Sequence, residues 1–215
     1  MKRRRKKFRT LFVLLVFCFA FFIIYHLMID SVTKMKSDPF ADVKKYQPLI
    51  HDELAKYHLE NYTTVLIALM QQESHGQGGD PMQASESAGL VRNTIQDPKQ
   101  SIQVGVKHFR RTFLYGKQRK VDFPTILQAY NMGIGYIDYV AQHGGKHSEQ
   151  LAKRFSLLQV KRKPTIYTCG GDKNNFRYPY CYGDFSYSSK VSKNIQSLAE
   201  SIPAASGQKT SGESF

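Results

Sequence analysis

Two carboxylates seven positions apart stand where this chain can do acid–base chemistry. Glu73 closes the run Leu66-Ile-Ala-Leu-Met-Gln-Gln-Glu73, and every position from Val65 to Met70 is apolar. That run predicts a helix buried on all sides. An acid at the C-terminal end of such a helix meets the negative end of its dipole and a drying environment, and both raise its pKa. A carboxyl that stays protonated near neutral pH is what a general acid needs in order to protonate a glycosidic oxygen. Asp80 follows in a loop opened by Gly76, Gly78 and Gly79, residues that let a backbone approach a ligand closely. It can hold a water as general base, or stabilise positive charge on a sugar ring. Carboxylate separation decides between these, wide for inversion and narrow for a covalent intermediate. The plainer readings are a polar residue ending a helix for Glu73, and a turn cap before Pro81 for Asp80.

The surrounding residues resemble a known family. Gln72-Glu73-Ser74, Gly78-Gly79-Asp80-Pro81-Met82-Gln83 and Ser85-Glu86-Ser87 are similar to the lysozyme-like muramidase domains of Gram-positive cell-wall hydrolases, including those of conjugative elements. Those domains are related to goose-type lysozymes and lytic transglycosylases. A second block, Ala129-Tyr130-Asn131-Met132-Gly133, resembles the Ala-Tyr-Asn-x-Gly segment of the transglycosylases. The resemblance runs from about Tyr46 to about Ile202, through Ser101-Ile-Gln-Val-Gly105 and Gly183-Asp184. It implies Glu73 as general acid and Asp80 as the second catalytic residue. Ser74, Met82, Gln83, Ser85 and Glu86 would contact substrate, Tyr130 would pack beside Glu73, and Asn131 would orient substrate or loop. The implied substrate is the glycan strand of peptidoglycan, cut at the β-1,4 bond after N-acetylmuramic acid, with no cofactor. Two alternatives stay open. In one, the sugar's own 6-hydroxyl replaces water and leaves a 1,6-anhydro product. In the other, the chain is a non-catalytic wall-binding or assembly protein that keeps the fold. The loop between Glu73 and Met82-Gln83 is shorter than in typical transglycosylases.

The elements that must position these groups read as mainly α. Pro48 opens a helix to about His58, with Leu49, Ile50, Leu54 and Tyr57 on one face. Thr63 or Thr64 can cap the buried helix that ends at Glu73. Asp97-Pro98 starts another, Pro being favoured at the first helical position; Ile102, Val106, Phe109, Phe113 and Leu114 follow at helical spacing. Phe123-Pro124 begins a shorter one, and Ile134 to Ala141, Ser148 to Leu158 and Ser186 to Ile202 complete the set. Val191, Ile195 and Leu198 point inward on the last. The stretch from Gln159 to Phe185 is irregular and aromatic, with room for a short strand. Its Tyr178-Pro-Tyr-Cys-Tyr182, with Phe176 and Phe185, either walls a sugar subsite or packs as a closed loop.

The N-terminus sets the topology. Seven of the first ten residues are Lys or Arg, half of the formal net charge of +14. Residues 11–29 are apolar apart from Tyr25 and His26, and as a helix they span roughly 28 Å, close to a bilayer core. The expectation is a basic cytoplasmic arm over residues 1–10, a single-pass signal anchor over 11–29 and a stalk over 30–45. A lysozyme-like domain over 46–202 would then face the cell wall, ahead of a disordered tail over 203–215. A cleaved signal peptide, and hence secretion, is the competing reading, but no Ala-x-Ala site follows the apolar run. The remaining positive charge suits an anionic wall. Nucleic acid is not expected, since the arm is explained by topology and no recognition motif with stacked aromatics is present. Cys169 and Cys181 can form one disulfide outside the membrane; two free thiols are the alternative. His143 and His147 are separated by glycines, which excludes a helix-borne His-Glu-x-x-His, and no metal is implied.

Overall fold

The computed structural model describes residues 16–25 and 38–201. The chain divides into two compact units, Met1–Ala41 and Asp42–Phe215. In the first, residues 16–25 are helical. Among the described residues no helix is long and apolar enough to cross a membrane. The remainder of the expected anchor, the basic arm and the tail lie outside the described residues, as does the first half of the expected stalk.

The second unit is built of helices: α1 (Gln47–Ala55), α2 (Thr63–Ser74), α3 (Pro98–Gln118), α4 (Phe123–Met132), α5 (Gly135–Ala141), α6 (Glu149–Arg162) and α7 (Tyr187–Ser201). α2 lies at the centre. It packs on α7 and α1; α3 packs on α1 and α4, and α4 on α5 and α7. Leu66, Ile67, Ala68, Leu69 and Met70 are all buried, so the apolar run is enclosed on every side from Leu66 on, with Val65 at its start half-buried. No strand occurs among the described residues.

Local chemistry explains the helix starts. The side chains of Asp97, Asp122 and Ser148 accept from the backbone N–H of Lys99, Thr125 and Leu151 respectively. Each such N-cap contributes about 1 kcal/mol. α2 differs from expectation. A 3₁₀ turn over Glu60–Tyr62 leads directly into it, and no side chain caps it. The Thr63 hydroxyl instead donates back to the Glu60 carbonyl, 2.6 Å away. α1 ends three residues early, and His58 turns into the left-handed region at φ 56°. α6 runs four residues beyond Leu158 to Arg162, placing Lys161 and Arg162 in its last turn, where cations meet the negative end of the dipole. A helical turn over Ala41–Lys44 lies in the segment expected to be stalk and buries Val43 completely.

Candidate active site

α2 delivers Glu73 to the lining of a cleft of about 510 Å³. The helix stops one residue later, at Ser74, because His75 adopts a left-handed conformation, φ 58°. The loop that follows is held by the protein's own backbone. A Cβ on Gly76 would lie 2.9 Å from the Asp42 carbonyl oxygen, and one on Gly79 would lie 2.6 Å from the Gln96 Cα. These glycines therefore permit backbone-to-backbone packing; a close approach to ligand was the expectation.

Glu73 and Asp80 sit in opposite environments. Glu73 is half-buried, and its Oε1 accepts one hydrogen bond, 2.6 Å from the Tyr187 hydroxyl. Desolvation pushes its pKa up from 4.5 to about 7, against the opposing pull of the Tyr187 hydrogen bond and of Arg92. Asp80 is buried and saturated. Its Oδ1 accepts from the Ala84 N–H at 2.9 Å and the Ser101 hydroxyl at 2.7 Å. Its Oδ2 accepts from the Ser85 N–H at 3.0 Å and the Ser85 hydroxyl at 2.6 Å. Burial alone would raise the Asp80 pKa, but these hydrogen bonds outweigh it and hold the carboxyl below its ordinary value. A carboxylate has about four acceptor positions, and all are used.

The other expected site residues divide in two. Gln83, Glu86, Tyr130 and Asn131 line the cleft with Glu73. Ser74, Met82 and Ser85, also expected to contact substrate, are not among its lining residues. The Ser74 hydroxyl donates to the Pro81 carbonyl and accepts from the Gly76 N–H, stapling the loop. Met82 is fully buried, because the missing side chain of Gly105 leaves room for it against α3. Ser85 is buried, and besides its bonds to Asp80 its hydroxyl accepts from the Ile95 N–H. Tyr130 donates to the Met82 carbonyl at 3.3 Å. Its own carbonyl meets His108 Nε2 at 2.9 Å, and burial lowers the His108 pKa.

Tyr187 is a residue that the sequence did not single out. A corner at Asp184 sets it. Gln128 donates to the Asp184 carbonyl and accepts from the Ser188 N–H, while the Asp184 N–H donates to Asn131 Oδ1. The Asp184 side chain accepts from the Ser186 N–H and hydroxyl and pairs with Lys190. Asn131 thus orients a protein loop, which in turn presents Tyr187 to Glu73. A signal was available: Tyr187 begins the helical stripe of Val191 and Leu198, which are also buried. Of the aromatic segment, Tyr182 lines the cleft with Tyr167, their rings edge-to-face at 4.8 Å. Phe176 and Tyr180 pack instead on Phe185. A disulfide joins Cys169 to Cys181 and closes this loop.

The all-helical unit that carries this cleft matches known proteins. The lysozyme-like family model matches residues 40–195. The chain belongs to the lysozyme-like family. Among its relatives, YocA of Bacillus subtilis (strain 168), described as an uncharacterized membrane protein, is 45% identical over 95% of both chains. The bifunctional muramidase/DL-endopeptidase CwlT of the same organism is 36% identical over 77% of this chain, which spans 45% of CwlT. Pneumococcal vaccine antigen A of Streptococcus pneumoniae is 29% identical over 88% of this chain. A Staphylococcus aureus crystal structure, described as similar to a lipoprotein of the NLP/P60 family, superposes with a TM-score of 0.61 at 34% identity. That match covers 72% of this chain and 52% of the other. This lysozyme-like chain therefore shares with CwlT a region that is about half of the larger protein.

Proposed function

We propose that this lysozyme-like protein is a peptidoglycan hydrolase that cleaves the β-1,4 bond between N-acetylmuramic acid and N-acetylglucosamine. Its catalytic unit would work on the outer side of the cytoplasmic membrane. One observation carries the chemistry. Glu73 is a cleft carboxyl whose pKa, raised to about 7, leaves it protonated over much of the neutral range. Oε1 is engaged by the Tyr187 hydroxyl, so the transferable proton sits on Oε2. That proton goes to the glycosidic oxygen as its bond to the muramyl C1 breaks; the oxocarbenium-like centre then takes water, which loses its proton to the Glu73 carboxylate. The relation to a muramidase supports the bond assignment. The basic arm and apolar run, the membrane-protein name of YocA and the disulfide support the location.

Saturation of Asp80 leaves Glu73 as the acid–base group and so suits a second reading equally. With all four acceptor positions filled, Asp80 is poorly placed to take a proton, and attack by the sugar's own 6-hydroxyl, like attack by water in the first reading, needs only Glu73. Mass spectrometry of fragments released from purified peptidoglycan separates the two. Reducing-end muramic acid is the expected product. Anhydro product alone, lighter by one water, would replace hydrolysis with transglycosylation. No fragment at all would leave a wall-binding protein.

A further inference from the structure

The cleft carries more positive charge than cutting a neutral glycan requires. Arg92, from the loop after α2, Arg111, from α3, and Arg177, from the disulfide-closed loop, all line the cleft that holds Glu73. Among the described residues none of the three is in an ion pair, although Lys56, Arg119 and Lys190 find carboxylate partners elsewhere. Glu86 is the other acid lining the cleft, and it too is unpaired there. Arg111 also borders a second concavity with Lys107 and Arg110, so the positive surface continues out of the cleft over α3. That helix carries no acid in its 21 residues. Arg92 is moreover among the influences that lower the Glu73 pKa, so its charge works against the general acid it adjoins. A hydroxyl- and amide-bearing sugar chain makes little use of three guanidinium groups. A planar carboxylate matches each of them in bidentate geometry.

Resting on the glycan-cleaving function above, we infer that Arg92, Arg111 and Arg177 read carboxylates on the 3-O-substituent of muramyl residues, so that the cleft selects carboxylate-bearing strands over neutral ones. Two sources share this chemistry. On glycan stripped of peptide, the lactyl group itself ends in a carboxylate. On intact strands the lactyl carboxyl is an amide, and the peptide stem supplies the carboxylates.

The test uses the full chain in detergent and three preparations of peptidoglycan: untreated, amidated with methylamine so that its carboxylates are neutral, and stripped of stem peptides by an amidase. Binding is measured with the full-chain Glu73→Gln variant, so it does not depend on turnover; cleavage is measured with the parent. Amidation is expected to weaken binding by at least about tenfold and to raise KM in parallel. The triple substitution Arg92→Gln, Arg111→Gln, Arg177→Gln should abolish this discrimination by weakening binding to untreated wall while leaving binding to amidated wall near its already low level. Stripped glycan bound as tightly as untreated wall shows that the lactyl carboxylate serves as ligand in place of the stem. Stripped glycan bound as weakly as amidated wall identifies the stem. Equal binding of untreated and amidated wall, or discrimination that survives the triple substitution, overturns the inference. The two proposals fail separately. Cleavage of untreated and amidated wall with equal KM removes the carboxylate reader and keeps the enzyme. Selective binding without cleavage of any wall removes the enzyme and keeps the reader.

Discussion

Glu73 and Asp80 bracket one loop, and they show how surroundings give two carboxylates opposite jobs. The α2 end offers Glu73 one hydroxyl and little water, so its neutral form is favoured and its pKa rises to about 7. Asp80 is also shielded from solvent, but two backbone N–H groups and two hydroxyls meet its carboxylate, and the charged form wins. Burial alone does not decide ionisation; the count of donors aimed at the carboxylate does. A carboxyl that holds its proton to about pH 7 at the first position and a hydrogen-bonded anion at the second follow from these surroundings.

The largest test of the contrast is Glu73→Gln. The amide keeps the shape and removes the transferable proton, so glycan cleavage should fall by about 10²–10⁴-fold, read as muropeptide release. Stability should move the other way. A raised pKa means that the fold favours the protonated carboxyl. The stability linked to it is complete below the ordinary value of 4.5 and is lost as pH rises through about 7. Glu73→Gln should therefore be more stable than the parent at pH 8, by at most about 3 kcal/mol, and nearly equal to it at pH 4. Parent activity should decline above about pH 7 as the acid form disappears. An equal melting temperature of parent and variant at pH 8 would undo the desolvated-acid account.

Asp80→Asn comes next and should act through the fold. An amide presents a donor where two of the four donors now point, leaving them unmatched in a buried pocket. The expected loss is about 2–4 kcal/mol, seen in chemical denaturation, with activity falling because Glu73 and Gln83 lose their loop. In the parent, the stability supplied by Asp80 is present above its ordinary pKa of 3.8 and is lost as pH falls through its lowered folded value. A variant with full stability but no hydrolysis would make Asp80 a chemical participant.

Much of this contrast was legible in the sequence, but only one side of it. The apolar run into Glu73 predicts the buried helix and the raised pKa, because both causes lie within a dozen residues. The starts of α3 and α4 were legible at Asp97-Pro98 and Phe123-Pro124 for the same local reason. The partners of Asp80 were not: Ser101 lies 21 positions away, and nothing in its spacing announces the bond. Tyr187 is 114 positions from Glu73, and its stripe marks it as buried without saying what it faces. The cleft arginines come from three separate segments that only the packing of helices brings together.

Tyr187→Phe tests the Glu73 side alone. The hydroxyl donates to the carboxylate and so holds the Glu73 pKa below what desolvation would otherwise impose. Its removal should shift the alkaline limb of the activity profile upward, with the ring still filling its place in the core. A limb that stays put would mean that the hydroxyl has no hold on the proton.

Ser101→Ala is the smallest change and the cleanest control. Its hydroxyl donates to Asp80 Oδ1 and accepts from the Met82 N–H at 3.0 Å. The alanine leaves Asp80 three of its four donors and leaves the Met82 N–H unpaired in the core. The expected loss is about 1–2 kcal/mol of stability, measured by denaturant unfolding, with a modest fall in activity. The Asp80 pKa should rise toward its ordinary value, which still leaves it ionised at neutral pH. The charge that Glu73 feels from Asp80 is then unchanged, and the alkaline limb should stay where it is in the parent. Tyr187→Phe and Ser101→Ala each delete one hydrogen bond to a carboxylate, so similar chemistry is removed at both ends of the loop. If only the first moves the pH profile and the second lowers stability without moving it, the two carboxylates do different work. A shifted limb in Ser101→Ala would instead couple Asp80 directly to the proton on Glu73, and the division between acid and scaffold would have to be abandoned.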